Sequence, residues 1–150
     1  MPKKKTDLKY FETIGRRKSA VARVRLYLTD KKNDLVTQET SIKKGEIVVN
    51  KRPFNDYFPG EANKIRQLTP LSLTESADRF AISIKVAGGG KTGQLEASIL
   101  GISRALQLMD PALRPILKKN KLLTRNPRVK ERRKVGTGGK ARRQKQSPKR

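Results

Sequence analysis

Cysteine, histidine and tryptophan are all missing from these 150 residues. Without Cys there is no disulfide framework and no thiolate chemistry. Without His the chain lacks the side chain whose ordinary pKa lies near neutral pH. With both gone, the usual soft ligands for zinc or iron are gone too, so no metal site is expected. Acidic residues are scarce, 13 Asp and Glu against 37 Lys and Arg, for a net charge of +24. No apolar run approaches the ~20 residues that span a bilayer, so no membrane partner is expected. The opening stretch MPKKKTDLKYFETIGRRKS lacks the apolar core of a signal peptide, and Asp7 and Glu12 are unusual for a mitochondrial transit sequence. The expectation is a soluble cytoplasmic protein of about one domain.

What is there is positive charge, unevenly placed. Residues 121–150 hold 13 basic residues with Glu131 as their one acid, net +12; residues 1–120 carry the same net charge over four times the length. The apolar residues of the last stretch, such as Val129 and Val135, show no periodicity, and Pro127, Gly136, Gly138, Gly139 and Pro148 break any helix. Two regions follow: a globular body with a basic N-terminal arm over 1–120, and an extended, by composition disordered, basic tail over 121–150. Charge of this kind selects a polyanionic partner. A tail kept only for solubility would be better served by mixed or acidic charge. Arg forks phosphate bidentately and stacks on bases. Arg125, Arg128, Arg132, Arg133, Lys134, Lys140, Arg142 and Arg143 are therefore read as candidate nucleic-acid phosphate ligands.

The body reads as α+β, a sheet covered on one face by helices. SAVARVRLYL (19–28) alternates strictly, with Ala20, Ala22, Val24, Leu26 and Leu28 on one side and Val21, Arg23, Arg25 and Tyr27 on the other. EIVVN (46–50) is a short strand, and RPFNDYFPG (52–60) a locally packed loop. Residues 61–69 suit one short helix, and RFAISIKVA (79–87) a second alternating strand. Leu95, Ile99, Ile102, Leu106 and Met109 form the stripe of an amphipathic helix over 94–109, with Glu96, Ser103, Arg104 and Gln107 away from it. Asp110-Pro111 closes that helix and opens another that runs to about Lys119.

Two motifs point to phosphate. VAGGGKTG resembles a nucleotide-binding loop, but the Walker spacing requires Gly at position 85, which is Lys85, and the strand offers no carboxylate for magnesium. The plainer reading is a strand-to-helix turn in which Gly88, Gly89 and Gly90 let backbone approach a ligand, the helix N-terminus offers free N–H groups and Lys91 adds charge. That suits a nucleic-acid backbone as well as a nucleotide. GRRKSAVARVR places Arg16, Arg17 and Lys18 just before the first strand and aligns Arg23 and Arg25 on one strand face, with no acidic partner among them. No pattern marks a catalytic site: Ser and Thr have no His to activate them, and no lysine-activated serine is signalled. No enzyme activity and no cofactor are expected.

Read together, GRRKSAVARVRL, VVNKRPFNDYF, VAGGGKTGQ, GISRAL, DPALRPILKK, LLTRNPRVKERRKVG and KARRQKQSPKR, in that order, resemble the bacterial-type small ribosomal subunit protein number nine family, from about residue 13 to 150. The resemblance implies a two-layer α/β domain with a left-handed βαβ crossover, against the usual hand. It implies a structural role in translation: binding ribosomal RNA in the head of the small subunit, beside neighbouring ribosomal proteins. It implies a tail threading through RNA until Lys149 and Arg150 approach the anticodon stem-loop of peptidyl-site tRNA. The chain departs from the family in Gln146-Ser147-Pro148, where an aromatic is usual, in Asn126, where Asp is usual, and in a longer connection over 29–46. Two other classes compete: a free-standing RNA chaperone or nucleic-acid packager, and a nucleotide-binding enzyme built on GGGKTG. Co-sedimentation with small subunits separates the first from the ribosomal reading, and magnesium-dependent ATP binding would reveal the second.

Overall fold

The computed structural model describes residues 10–28, 35–36, 41–133 and 135. Its central sheet opens with a strand that the sequence hides. β1 (Tyr10–Arg17) pairs antiparallel with β2 (Ala20–Leu28) through a turn at Lys18 and Ser19. Arg16 and Arg17 thus close the first strand, and do not precede it as the basic run suggests. The inward positions of β1 are Phe11, Thr13, Gly15 and Arg17, only one of them a hydrophobe, so its alternation is invisible as a hydropathy pattern. β2 behaves as predicted along Ala20, Ala22, Val24 and Leu26, all buried. Leu28 is instead 42% exposed, because the inward row ends before it.

The short strands β3 (Leu35–Val36) and β4 (Ser41–Ile42) form a separate ribbon. β5 (Ile47–Val49) and β6 (Arg52–Pro53) follow, then the single turn α1 (Phe54–Tyr57), where the sequence suggested only a loop. α2 (Glu61–Leu73) runs through Pro70, four residues past the predicted end. β7 (Phe80–Ala87) is the second alternating strand. α3 (Lys91–Met109) begins three residues before the predicted start at 94, so the glycine loop is confined to 88–90. Asp110 accepts the Ala112 N–H at 2.9 Å, and a 3-10 turn over Pro111–Leu113 leads into α4 (Arg114–Lys119).

The five-stranded sheet has the order β1-β2-β7-β5-β6. β5 and β7 are parallel and joined through α2, a βαβ unit, and every other neighbouring pair is antiparallel. One sheet face packs on α2, α3 and α4 in a single core that includes Leu26, Ile82, Ile84, Leu71, Leu95, Ile102 and Leu117. The opposite face carries a small cluster of Tyr27, Ile42, Val48 and Ala81, where the β4 ribbon folds over it. This is the α+β class expected.

α3 is the mainstay of the domain, and it lies unusually close to β1. A Cβ built on Gly15 would sit 1.9 Å from the Ala97 carbonyl oxygen, and one on Gly101 would sit 2.5 Å from Val24 Cγ2. Two facing glycines let strand and helix backbones touch. The Thr13 hydroxyl donates to the Gly101 carbonyl at 2.8 Å, and Arg104 Nη1 donates to the edge carbonyl of Ile14 at 2.7 Å. The helix is buried on more than its predicted stripe: Ser98 and Ser103 are fully buried and bond back to the Gln94 and Ile99 carbonyls. Ser103 was expected on the outer face, but a small hydroxyl that satisfies itself four residues back can sit in a core.

Packing also continues past Asn120, where the composition changes. Leu122 and Leu123 pack against the core, and the Leu122 N–H donates to the Leu117 carbonyl at 3.0 Å. Further along, Arg17 Nη1 donates to the Arg128 carbonyl at 2.7 Å.

Candidate nucleic-acid interface

Four pieces of chain separated in sequence gather at one end of the sheet. The β1–β2 turn brings Arg17, Lys18 and Ser19. The loop after β7 is pressed against that turn, since a Cβ on Gly88 would lie 2.6 Å from the Ser19 carbonyl oxygen and one on Gly89 2.9 Å from Ala20 Cβ. α3 starts there, at Lys91. The segment after α4 returns to the same end through the Arg17–Arg128 hydrogen bond. Arg16, Lys18, Arg125, Arg128 and the glycine loop therefore share a neighbourhood, and Arg132 is exposed just beyond it.

The three glycines have different duties. Gly88 and Gly89 have φ of +71° and +63°, where side chains are strained, and neither has room for a Cβ. Their first role is to close the loop on the β1–β2 turn. Gly90 has an ordinary φ of −100° and nothing within 4 Å of its Cβ direction. It is the glycine that faces open space, at the N-cap of α3, with no side chain capping that helix.

Lys91 is turned away from the helix axis. Its Nζ lies 3.7 Å from the Tyr57 ring centroid and donates to the Tyr57 carbonyl at 3.2 Å. A cation over an aromatic face is worth about 0.5–1 kcal/mol at such a partly wet site. Tyr57 is fixed in turn, donating from its hydroxyl to Gln94 Oε1 at 3.0 Å, while Gln94 Nε2 donates to the Gly88 carbonyl at 3.1 Å. Asn50 bridges the Val86 backbone with both side-chain atoms. This network of Asn50, Tyr57 and Gln94 holds the loop rigid. Sequence reading missed it because its members lie in three separate elements, and only the aromatics of 54–58 hinted at a packed loop.

The arginines of β1 and β2 are not all unpaired. Arg17 is only 14% exposed; its Nε bonds Glu96 Oε2 at 2.5 Å. Arg25 Nε bonds Glu12 Oε2 at 2.6 Å across the strand pair and lies over the Tyr10 ring. The run itself holds no acid, and the partners come from the hidden strand and from α3. The hydrogen bond to Glu12 raises the Arg25 pKa further, and burial pushes the Tyr27 phenol up. Arg23 keeps the outer face, between Ile14 of β1 and Lys85 of β7 in register. Asn126 accepts the Arg128 N–H at 3.0 Å through its amide oxygen. Lys134, Lys140, Arg142, Arg143, Lys149 and Arg150 lie outside the described residues. Among the described residues there is no cluster of potential metal ligands, and no helix is long and apolar enough to cross a membrane.

The family profile described as ribosomal protein S9/S16 matches residues 15–150. The chain belongs to the ribosomal protein S9/S16 family. It is 48% identical over 134 residues to the small ribosomal subunit protein uS9 of Solidesulfovibrio magneticus, covering 89% of this chain and 92% of the relative. The uS9 proteins of Chlorobium limicola and Desulfovibrio desulfuricans are 46% and 48% identical over 125 and 122 residues, covering 83% and 81% of this chain and 86% and 83% of the relatives. As a member of this ribosomal protein family the chain is a structural component of the translation machinery, not an enzyme. The glycine loop lies within the matched residues. The match extends through residue 150, so the basic tail is part of the family pattern.

Proposed function

We propose that this chain binds ribosomal RNA in the head of the cytoplasmic small subunit through the basic end of its sheet, and carries its remaining charge inward along the tail. The observation that carries the reading is the convergence of Arg16, Lys18, Gly90, Arg125 and Arg128 at that end, with Arg23 on the adjoining sheet face. These are phosphate-type contacts, which fix position and orientation without reading sequence. Neighbouring ribosomal proteins of the head complete the surroundings. Arg132, Arg133, Lys134, Lys140, Arg142 and Arg143 neutralise RNA phosphate along the tail, and Lys149 and Arg150 reach the anticodon stem-loop of peptidyl-site tRNA. The crossover from β5 through α2 to β7 is taken as left-handed, as the resemblance implies.

The test is sedimentation of cell lysate through moderate salt. The wild-type chain rides stoichiometrically with small subunits. Gly90→Val, which has room and an ordinary backbone, leaves the fold intact but blocks close approach at the α3 N-terminus, and its subunit occupancy falls several-fold. Gly89→Val is uninformative here, because its side chain would strike Ala20 with or without RNA. A wild-type chain spread over all fractions defeats the ribosomal placement, and full occupancy by Gly90→Val removes the loop from the interface.

A further inference from the structure

A groove of about 270 Å³ opens between α2, α3 and the segment that follows α4. We infer that it seats one phosphodiester of the RNA backbone, an inference that rests on the RNA-binding reading above. Its walls bring five cations, Arg16, Arg17, Arg66, Lys121 and Arg125, and one carboxylate, Glu96. That carboxylate is already occupied. Arg17 holds Glu96 Oε2 at 2.5 Å, while Arg66 Nη2 stands 3.6 Å from Oε1, too far for a hydrogen bond. Glu96 therefore anchors Arg17 and leaves Arg66 with donors to spare.

Besides Arg16 of β1, three independent elements supply donors. Arg66 comes from α2, Lys121 from the turn after α4, and Arg125 from the extended segment that Arg17 fastens at Arg128. Lys121 occupies a left-handed position, φ 58°, at the end of α4, where Gly or Asn is the usual residue. The chain keeps a long cation there at the expense of backbone strain. The groove has no aromatic side chain in its walls, so a base would find no ring to stack on. Guanidinium forks match the two free oxygens of a phosphodiester. The groove is open to solvent on one side and has room for a phosphate group. Of these residues the sequence pointed to Arg16, Arg17 and Arg125; Arg66 and Lys121 emerge only when the helices are packed.

The experiment is equilibrium binding of the full chain to small-subunit ribosomal RNA over a range of salt. Arg66→Ala/Arg125→Ala removes two groove cations. Lys43→Ala/Lys44→Ala removes the same charge from the opposite end of the sheet, beside Gly45, whose N–H bonds the Phe80 carbonyl. The groove variant should lose affinity about tenfold, and its log–log salt slope should fall by roughly 0.7–0.9, the value for one lost phosphate contact. The distal variant should stay within about twofold. Arg66→Lys/Arg125→Lys keeps the charge but loses the forks, and should fall between the two. Equal losses in both alanine doubles would mean bulk charge, and no loss in the groove variant would mean an idle groove; either overturns the inference and leaves RNA binding standing. A wild-type chain that fails to bind the RNA overturns the RNA-binding reading and the groove with it.

Discussion

Gly15→Ala should lower the stability of the isolated chain by about 3 kcal/mol or more, the upper range for forcing atoms into a packed interior. A methyl at this position meets the Ala97 carbonyl oxygen at 1.9 Å and the Gly101 nitrogen at 2.7 Å. Both are backbone atoms of α3, so no side chain can swing aside. Relief requires moving the edge strand off the helix, which breaks the Thr13–Gly101 and Arg104–Ile14 hydrogen bonds and pulls Arg17 from Glu96. The melting temperature should drop by roughly 10 °C or more, since each kcal/mol moves a domain of this size by a few degrees. Gly90→Ala is the matched control, with open space around its Cβ direction, and should melt within about 2 °C of wild type. Urea and thermal unfolding followed by circular dichroism measure the free energies and melting temperatures of both variants. A Gly15→Ala chain as stable as wild type would show that β1 and α3 do not approach as closely as described.

Removing residues 129–150 should have the opposite profile, leaving the fold alone and crippling RNA affinity. The cut keeps Leu122 and Leu123 in the core and leaves the Arg128 carbonyl for Arg17. Thermal stability should therefore change by no more than about 0.5 kcal/mol, as for surface changes generally. The deleted stretch carries ten Lys and Arg and one Glu. If six of those cations meet phosphate, the salt slope of RNA binding falls by roughly four to five. Affinity for small-subunit ribosomal RNA near 0.2 M salt then drops on the order of a hundredfold to a thousandfold. Filter binding at several salt concentrations reads both quantities. An unchanged slope would assign the binding charge to the body alone.

How far the fold was legible can be traced residue by residue. β2, β7 and α3 stood out because Ala22, Val24, Ile82, Ile84, Leu95 and Ile102 repeat at strand or helix spacing and are buried where the spacing puts them. β1 was hidden because its inward row is Phe11, Thr13, Gly15 and Arg17, chosen for close approach and ion pairing instead of hydrophobicity. The charges were read as a run, and a run says nothing of partners. Arg17 and Arg25 find Glu96 and Glu12 only once strand and helix are brought together. The sequence reads GGGKTG (88–93) as a loop, but 91–93 are helical, and assigning all three glycines to ligand approach missed that Gly88 and Gly89 meet the β1–β2 turn. The composition break after Asn120 marked the change in charge, not the end of packing, because two leucines suffice to dock the first turn beyond α4.

We propose that positive charge anchored in this body ends at the peptidyl site. Dissociation of tRNA from that site, on programmed small subunits carrying the chain without residues 148–150, tests it most directly. One charge-assisted hydrogen bond is worth about 1.5–3 kcal/mol, and a shared, wet site sits at or below the low end. The deletion should leave subunits assembled, since eleven of the tail's 13 basic residues remain. It should speed tRNA release several-fold, and Pro148→Ala should change the rate less than removing Arg150. Release at the wild-type rate from fully assembled subunits would contradict the claim and confine the tail to ribosomal RNA.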